Sequence, residues 1–147
     1  QHAGLQDLFE GKGEYGQITF LAPSNLAIMT YMFNNNFRRV NEIPAAECRR
    51  LLEKLIIPQR ILTSDVPRGS RSEATGEKTG GKTYTLMDGS EAFLWTFQES
   101  YLGVGNAGAV HLWFFIEKFA TSRRIYSSNI QTENGVVQAL GHDFLFE

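Results

Sequence analysis

The period of the apolar positions changes about halfway along this chain. Residues 17–22, QITFLA, are a short apolar run that predicts a strand, and Pro23-Ser24 then opens a helix in which Ser24 can accept from an orphan amide. Ile28, Met29, Met32 and Phe33 are expected on one face of it. The run Asn34–Asn36 should end the helix, because these side chains compete for backbone hydrogen bonds. A second helix is predicted from Pro44, which a first turn tolerates. Its stripe is Ala45, Cys48, Leu51, Leu52 and Leu55, with Glu47, Arg49, Arg50, Glu53 and Lys54 read as a solvated face. IIPQRIL then turns strand-like, with Pro58 pointing to an edge.

Residues 64–82 hold no apolar period and are rich in Ser, Gly, Thr and charge, so they read as a mobile loop. From Lys82 the period is two. Tyr84 and Leu86 share one face, Asp88-Gly89 signals a hairpin, and the return strand puts Phe93, Trp95 and Phe97 on one side. VHLWFFIEKF, residues 110–119, is apolar on both faces and suits a buried strand. RIYSSNIQT leads to a second turn at Glu133-Asn134-Gly135, and Val136-Val137 start the return. Helices first and hairpins after predict an α+β fold, without internal repeat or second domain.

The chain has 147 residues, 42% apolar and 20% charged, which fits neither a disordered nor a membrane-embedded class. Sixteen acidic against fourteen basic residues, with the cations scattered apart from three Arg doublets, argue against a nucleic-acid partner. The longest apolar run, Ala109–Ile116, is far short of the ~20 residues of a membrane helix. No charged-then-apolar leader opens the chain, so any secretion signal is expected to have been removed or to lie outside this stretch. The single cysteine, Cys48, excludes an internal disulfide and a multi-Cys zinc site and reads as a small buried helix residue.

Two stretches imitate nucleotide-binding motifs. GEKTGGKT, residues 76–83, fits G-x-x-x-x-G-K-[ST] at every fixed position. A phosphate loop needs a buried strand before it and a helix starting at the Lys-[ST]. Here PRGSRSEAT precedes and the period-two segment KTYTLMDGSEAFLW follows, so the context fails on both sides. GVGNAG, residues 103–108, spells G-x-G-x-x-G, yet the aromatic and β-branched AVHLWFFIEKF cannot be the amphipathic helix that should follow. For acid–base chemistry only His2, His111 and His142 are available. His111 reads as an interior histidine, and His142 and Asp143, adjacent on a strand, would point to opposite faces. No catalytic residue, cofactor or metal site is predicted.

These segments, in this order, resemble the fasciclin-like domain family. ITFLAPSNLAI, residues 18–28, is similar to its first motif, a T-[VF]-F-A-P-[TS] strand leading into a helix with a buried Ala-Phe pair, here Ala27 and Ile28. LLEKLIIPQRILTSDV (51–66) resembles the central helix-to-strand segment, and KTYTLMDGSEAFLW the Thr-Leu strand with its glycine turn. NIQTENGVVQAL (129–140) resembles the second motif, D-I-x-x-x-N-G-V-I-H-x-I-D. The departures are specific. The Tyr-His pair tied to integrin adhesion in some animal members falls at Lys54-Leu55 and is absent. Asn129, Gln138 and Gly141 stand where the second motif has Asp, His and Asp, and residues 99–122 look like extra material.

The resemblance implies a wedge of two β-sheets with N-terminal helices packed against them. It also implies one fasciclin-like domain over residues 1–147, cut short at one or both ends and part of a longer chain. Functionally it implies a non-enzymatic adhesion module at the cell surface or outside the cell, without transferring integrin binding. A lone Cys and no Asn-x-[ST] sequon suit a bacterial surface protein better than an animal matrix protein, and the expected location is the bacterial outer surface or the periplasm, by way of a lipid anchor outside this stretch. The expected partner is another protein or a surface glycan. Trp95, Tyr101 and Trp113 flank or sit in the extra segment and are the candidate contacts, although both indoles also suit the core of their strands.

Overall fold

The computed structural model describes residues 4–10, 17–105, 108–116, 122–141, 144 and 146. A short helix α1 (Gln6–Phe9) precedes strand β1 (Ile18–Ala22), and two longer helices follow, α2 (Asn25–Asn34) and α3 (Ala45–Glu53). The remaining strands are β2 (Ile56–Ile57), β3 (Gly69–Arg71), β4 (Lys78–Gly80), β5 (Lys82–Thr85), β6 (Glu91–Gln98), β7 (Val110–Ile116), β8 (Arg123–Thr132) and β9 (Gly135–Leu140). Seven of them form one sheet in the order β2-β1-β9-β8-β7-β6-β5, and β3 and β4 form a separate two-stranded hairpin. The α+β prediction is met, with one large sheet, one small one and helices packed on the large one.

The local signals act where they were read. Ser24 Oγ accepts from the Ala27 amide and caps α2, whose end falls at Asn35 with Asn36 in the left-handed region. Asp88-Gly89 turns β5 into β6, and Asn134-Gly135 turns β8 into β9. β1 and β9 are the parallel pair, with Ile18 opposite Gly135 and Ala22 opposite Ala139.

The main core lies between the helices and the inner face of the sheet. Leu94, Leu112, Phe114 and Ile116 meet Ala27, Tyr31 and Leu51 there, together with Phe144 and Phe146. Burial of this apolar surface is the main force holding helices to sheet.

The helices differ from expectation in orientation. In α2 the core line is Ala27 and Tyr31, with Ile28 and Met32 at its flank, whereas Met29 and Phe33 face solvent, Phe33 at 82% exposure. This helix carries no charge and is apolar all round, so its period could not choose a face. In α3, Ala45 is exposed, and Lys54, read as part of the solvated face, is buried at the point where the helix turns into β2. Its charge lies close enough to Glu47 to help hold that carboxyl ionised. Cys48 is half-buried, and burial pushes its thiol pKa up, away from reactivity.

Glu47 ties the two helices together. Its carboxylate is chelated by the Arg50 guanidinium and accepts from the Tyr31 hydroxyl at 2.8 Å. The hydrogen bonds from Arg50 and then Tyr31 lower its pKa to about 2. A carboxylate whose folded pKa lies below its unfolded value of about 4.3 stabilises the fold above that unfolded value. That contribution is lost as pH falls from roughly 4.3 toward 2. Urea midpoints measured from pH 5 down to pH 2 should therefore fall less steeply in Glu47→Gln than in the parent. Equal slopes would mean that the pair adds nothing.

The polar stretch read as a loop is instead a flap over the outer face of the sheet. Gly69 pairs with Gly80 and Arg71 with Lys78. Its strands have no apolar side of their own. What holds them is a satellite core on β6 and β7, made of Phe93, Trp95 and Phe115 with Trp113 at its edge. The Arg71 guanidinium lies 3.5 Å above the Phe115 ring, and Lys78 stands 5.5 and 5.7 Å from the rings of Phe93 and Phe115. Before the flap, the Thr96 amide donates to Pro67, so residues 66–68 take over the edge of β6 where β5 stops.

Candidate functional site

The glycines of GEKTGGKT serve this flap. A Cβ on Gly81 would lie 2.6 Å from the Phe93 ring and 2.7 Å from the Leu94 carbonyl, and its φ is +61°. Lys78 belongs to β4, and Lys82 and Thr83 open β5, so no helix dipole meets the loop. Millimolar MgATP is expected to leave the melting temperature unchanged, and a ligand-dependent rise would contradict this geometry. GVGNAG likewise runs into a strand, β7, with its Asn106 and Ala107 outside the described residues.

Among the described residues no three His, Cys, Asp or Glu side chains gather as a metal site, and no helix is long and apolar enough to cross a membrane. His111, read as interior, lies half-buried at the start of β7 with Nε2 3.1 Å from a Glu99 carboxylate oxygen. His2, His142 and Asp143 lie outside the described residues.

The outer face of β6–β8 is where the candidate aromatics meet. Strand alternation and register put Phe97 opposite His111, Trp95 opposite Trp113, and Trp113 opposite Arg124 on this side. The indoles of Trp95 and Trp113 stack at 6.1 Å with 14° between their planes, and Phe93 stacks on Trp95 at 5.2 Å. Trp95 is 5% exposed, while Trp113 is half-buried and Phe97 open to solvent. Next along β8, Arg124 lies over the ring of Tyr126, which is 67% exposed. Tyr101 is elsewhere, on the β6–β7 connection, bridged to Val104 and 62% exposed. The fold thus brings together Trp95 and Trp113 and leaves Tyr101 apart.

Between the flap and these rings runs an open groove of about 320 Å³. Trp95, Trp113 and Phe97 form its aromatic side, and Ser70, Arg71 and Glu73 its polar side. The Arg71 side chain is only 10% exposed. Its Nη1 reaches Glu73 at 3.2 Å and donates to the Ser122 hydroxyl at 3.4 Å, while its Nε is buried without a partner among the described residues. Glu73 also accepts from the Ser122 amide at 3.0 Å, and hydrogen bonding to Ser122 holds its carboxyl below the usual range. Charge is therefore balanced within the groove. The Arg71–Glu73 pair could not be foreseen from the residues around it, because the group that orients Glu73 comes from 49 residues further on.

A second hollow, of about 120 Å³, opens between α2 and α3 and is lined only by apolar surface, including Ile28, Val40, Leu52 and Phe146. It offers no polar group to orient a ligand.

Comparison with known proteins agrees with this architecture. Among curated proteins none matches. The solved FAS1 domain pair of the insect cell adhesion molecule Fasciclin I superposes with a TM-score of 0.55 at 14% identity, over 95% of this chain and 44% of that one. The chain thus spans less than half the length of that pair, and at this identity the likeness is one of fold. The model of the Fasciclin domain matches residues 1–142, and with the sheet order, the packed helices and the two turn motifs in place, this chain belongs to the Fasciclin domain family.

Proposed function

We propose that this domain is a non-enzymatic adhesion module working outside the cell or at its surface, and that it holds a protein partner against the outer face of β6–β8. The observation that carries the reading is the exposure of Phe97 and Tyr126 on the face that also holds the half-buried Trp113 and Arg124. Exposed aromatic rings next to an arginine are the residue types that dominate binding energy at protein interfaces. The family supports it, since the related insect protein is a cell adhesion molecule. Integrin recognition is not carried over, because Lys54 and Leu55 stand at the pair that would supply it and both are buried.

Cells or matrix proteins retained on a surface coated with the purified domain provide the test. Tyr126→Ser, at an exposed strand position, should leave stability within about 0.5 kcal/mol of the parent and weaken retention about tenfold or more, the loss of an aromatic anchor. Retention that is indifferent to both Tyr126→Ser and Arg124→Ser would remove this face from the reading. Turnover of a substrate, abolished by a single point substitution, would overturn the non-enzymatic assignment altogether.

A further inference from the structure

Resting on the module reading above, we propose that the groove between the flap and β6–β7 is a binding site for one ring of a neutral pyranose glycan, with Trp113 and Phe97 as its stacking side and Glu73, Arg71 and Ser70 as its hydroxyl-binding side. The volume, about 320 Å³, is at the lower end of the ~300–1,000 Å³ of small-molecule sites, so it takes a single ring. The ligand class follows from the two sides of the groove. An aromatic face carries negative quadrupole density and favours the electropositive C–H face of a pyranose. The opposite side presents a carboxylate, a guanidinium and a hydroxyl, which together can accept from and donate to vicinal hydroxyls.

Other ligand classes fit less well. A nucleotide or an acidic sugar needs uncompensated positive charge, and Arg71 is already engaged by Glu73. A lipid tail needs a hollow without a charged wall. The polar side is also built in advance. Arg71 is packed on Phe115, and Glu73 is oriented by Ser122, so neither side chain must be ordered when a ligand arrives.

The test is a titration of the purified domain with cellotriose, mannotriose and laminaritriose, followed by tryptophan fluorescence and by amide NMR shifts. Trigalacturonate and a polyproline peptide serve as the acidic and the peptide alternatives. At least one neutral trisaccharide should move the indole emission and the amides of residues 70–73 together. Glu73→Gln should weaken that binding about tenfold, as expected for losing a charged acceptor. Phe97→Ala should weaken it several-fold, and Tyr101→Ala should change nothing.

Trp113→Ala should abolish binding. Should that variant fail to fold, the two exposed positions decide alone. Silence of all three neutral sugars at millimolar concentration, tighter binding of trigalacturonate, or binding of the peptide alone would each overturn the proposal. Surface retention through Tyr126 tells the two readings apart. If it persists while the sugars are silent, only the groove assignment falls. If sugars bind while neither Tyr126→Ser nor Arg124→Ser affects retention, the protein-partner reading falls.

Discussion

Gln138→Leu is expected to lower stability by about 2–4 kcal/mol, because the buried Ile61 carbonyl and the part-buried Asn129 amide lose their partner and each such orphan costs about 1–3 kcal/mol. Gln138 has no exposed surface. Its Oε1 accepts from the Asn129 amide at 2.8 Å, and its Nε2 donates to the Ile61 carbonyl at 3.1 Å and to Asn129 Oδ1 at 3.3 Å. Asn129 in turn accepts from the amide and hydroxyl of Thr63, and Thr19 Oγ1 receives the Ile61 amide while donating to Gln59. This knot fastens residues 59–63 to β1, β8 and β9. At about 2–4 °C per kcal/mol for a chain of this size, the melting temperature should drop by roughly 5–15 °C, with the denaturant slope unchanged.

A neutral imidazole offers one donor and one acceptor, so Gln138→His should lose less at pH 8 than Gln138→Leu does. Its deficit should grow below about pH 6, where protonation removes the acceptor that the Asn129 amide needs. Identical losses for Leu and His would mean that shape, and not hydrogen bonding, is what the site requires.

Gly135→Ala is expected to cost about 3 kcal/mol or more, combining backbone strain with overpacking. A Cβ there would stand 2.1 Å from the Ile18 carbonyl oxygen and 3.0 Å from that residue's amide nitrogen, at a φ of +154°. Ile18 cannot retreat, since it is the register partner of Gly135 and begins the parallel pairing of β1 with β9. Low soluble yield and a melting temperature lower by more than about 6 °C are the expected readouts. Gly89→Ala is the comparison, because no atom lies within 4 Å of a Cβ at that turn even though its φ is +86°. Equal losses at the two glycines would show that conformational strain alone is at work and that the contact with Ile18 yields.

Signals confined to a few neighbouring residues were legible in the sequence. The Ser24 cap and the Asp88-Gly89 and Asn134-Gly135 turns depend on residues within one turn of each other, and the structure has them in place. The flap was not legible. Its strands Gly69–Arg71 and Lys78–Gly80 show no period of their own, and the rings that hold them lie on β6 and β7. The orientation of α2 failed for a related reason, since a helix apolar on every side carries no mark of which side the core takes. At Asn129 the sequence showed an exchanged residue and nothing of the irregularity in β8, where the backbone turns left-handed at φ 58° and sends the side chain to Thr63. For the candidate site, the aromatics on alternating positions were visible, but which of Trp95 and Trp113 stays open depends on how they stack across two strands.

The parallel pairing of β1 with β9 also bears on how the chain matures. Ile18 leaves the ribosome long before Gly135 is translated, and until then β1 can pair only with the two residues of β2. Its other edge, destined for the middle of the sheet, stays open until β9 has been made. Contacts so distant in sequence make closure slow and leave an unpaired edge available to neighbouring chains. Closure of the sheet is therefore a late event that waits for β9, and overproduction at low temperature or with a holdase chaperone should raise the soluble fraction more than any change to the surface of the finished domain.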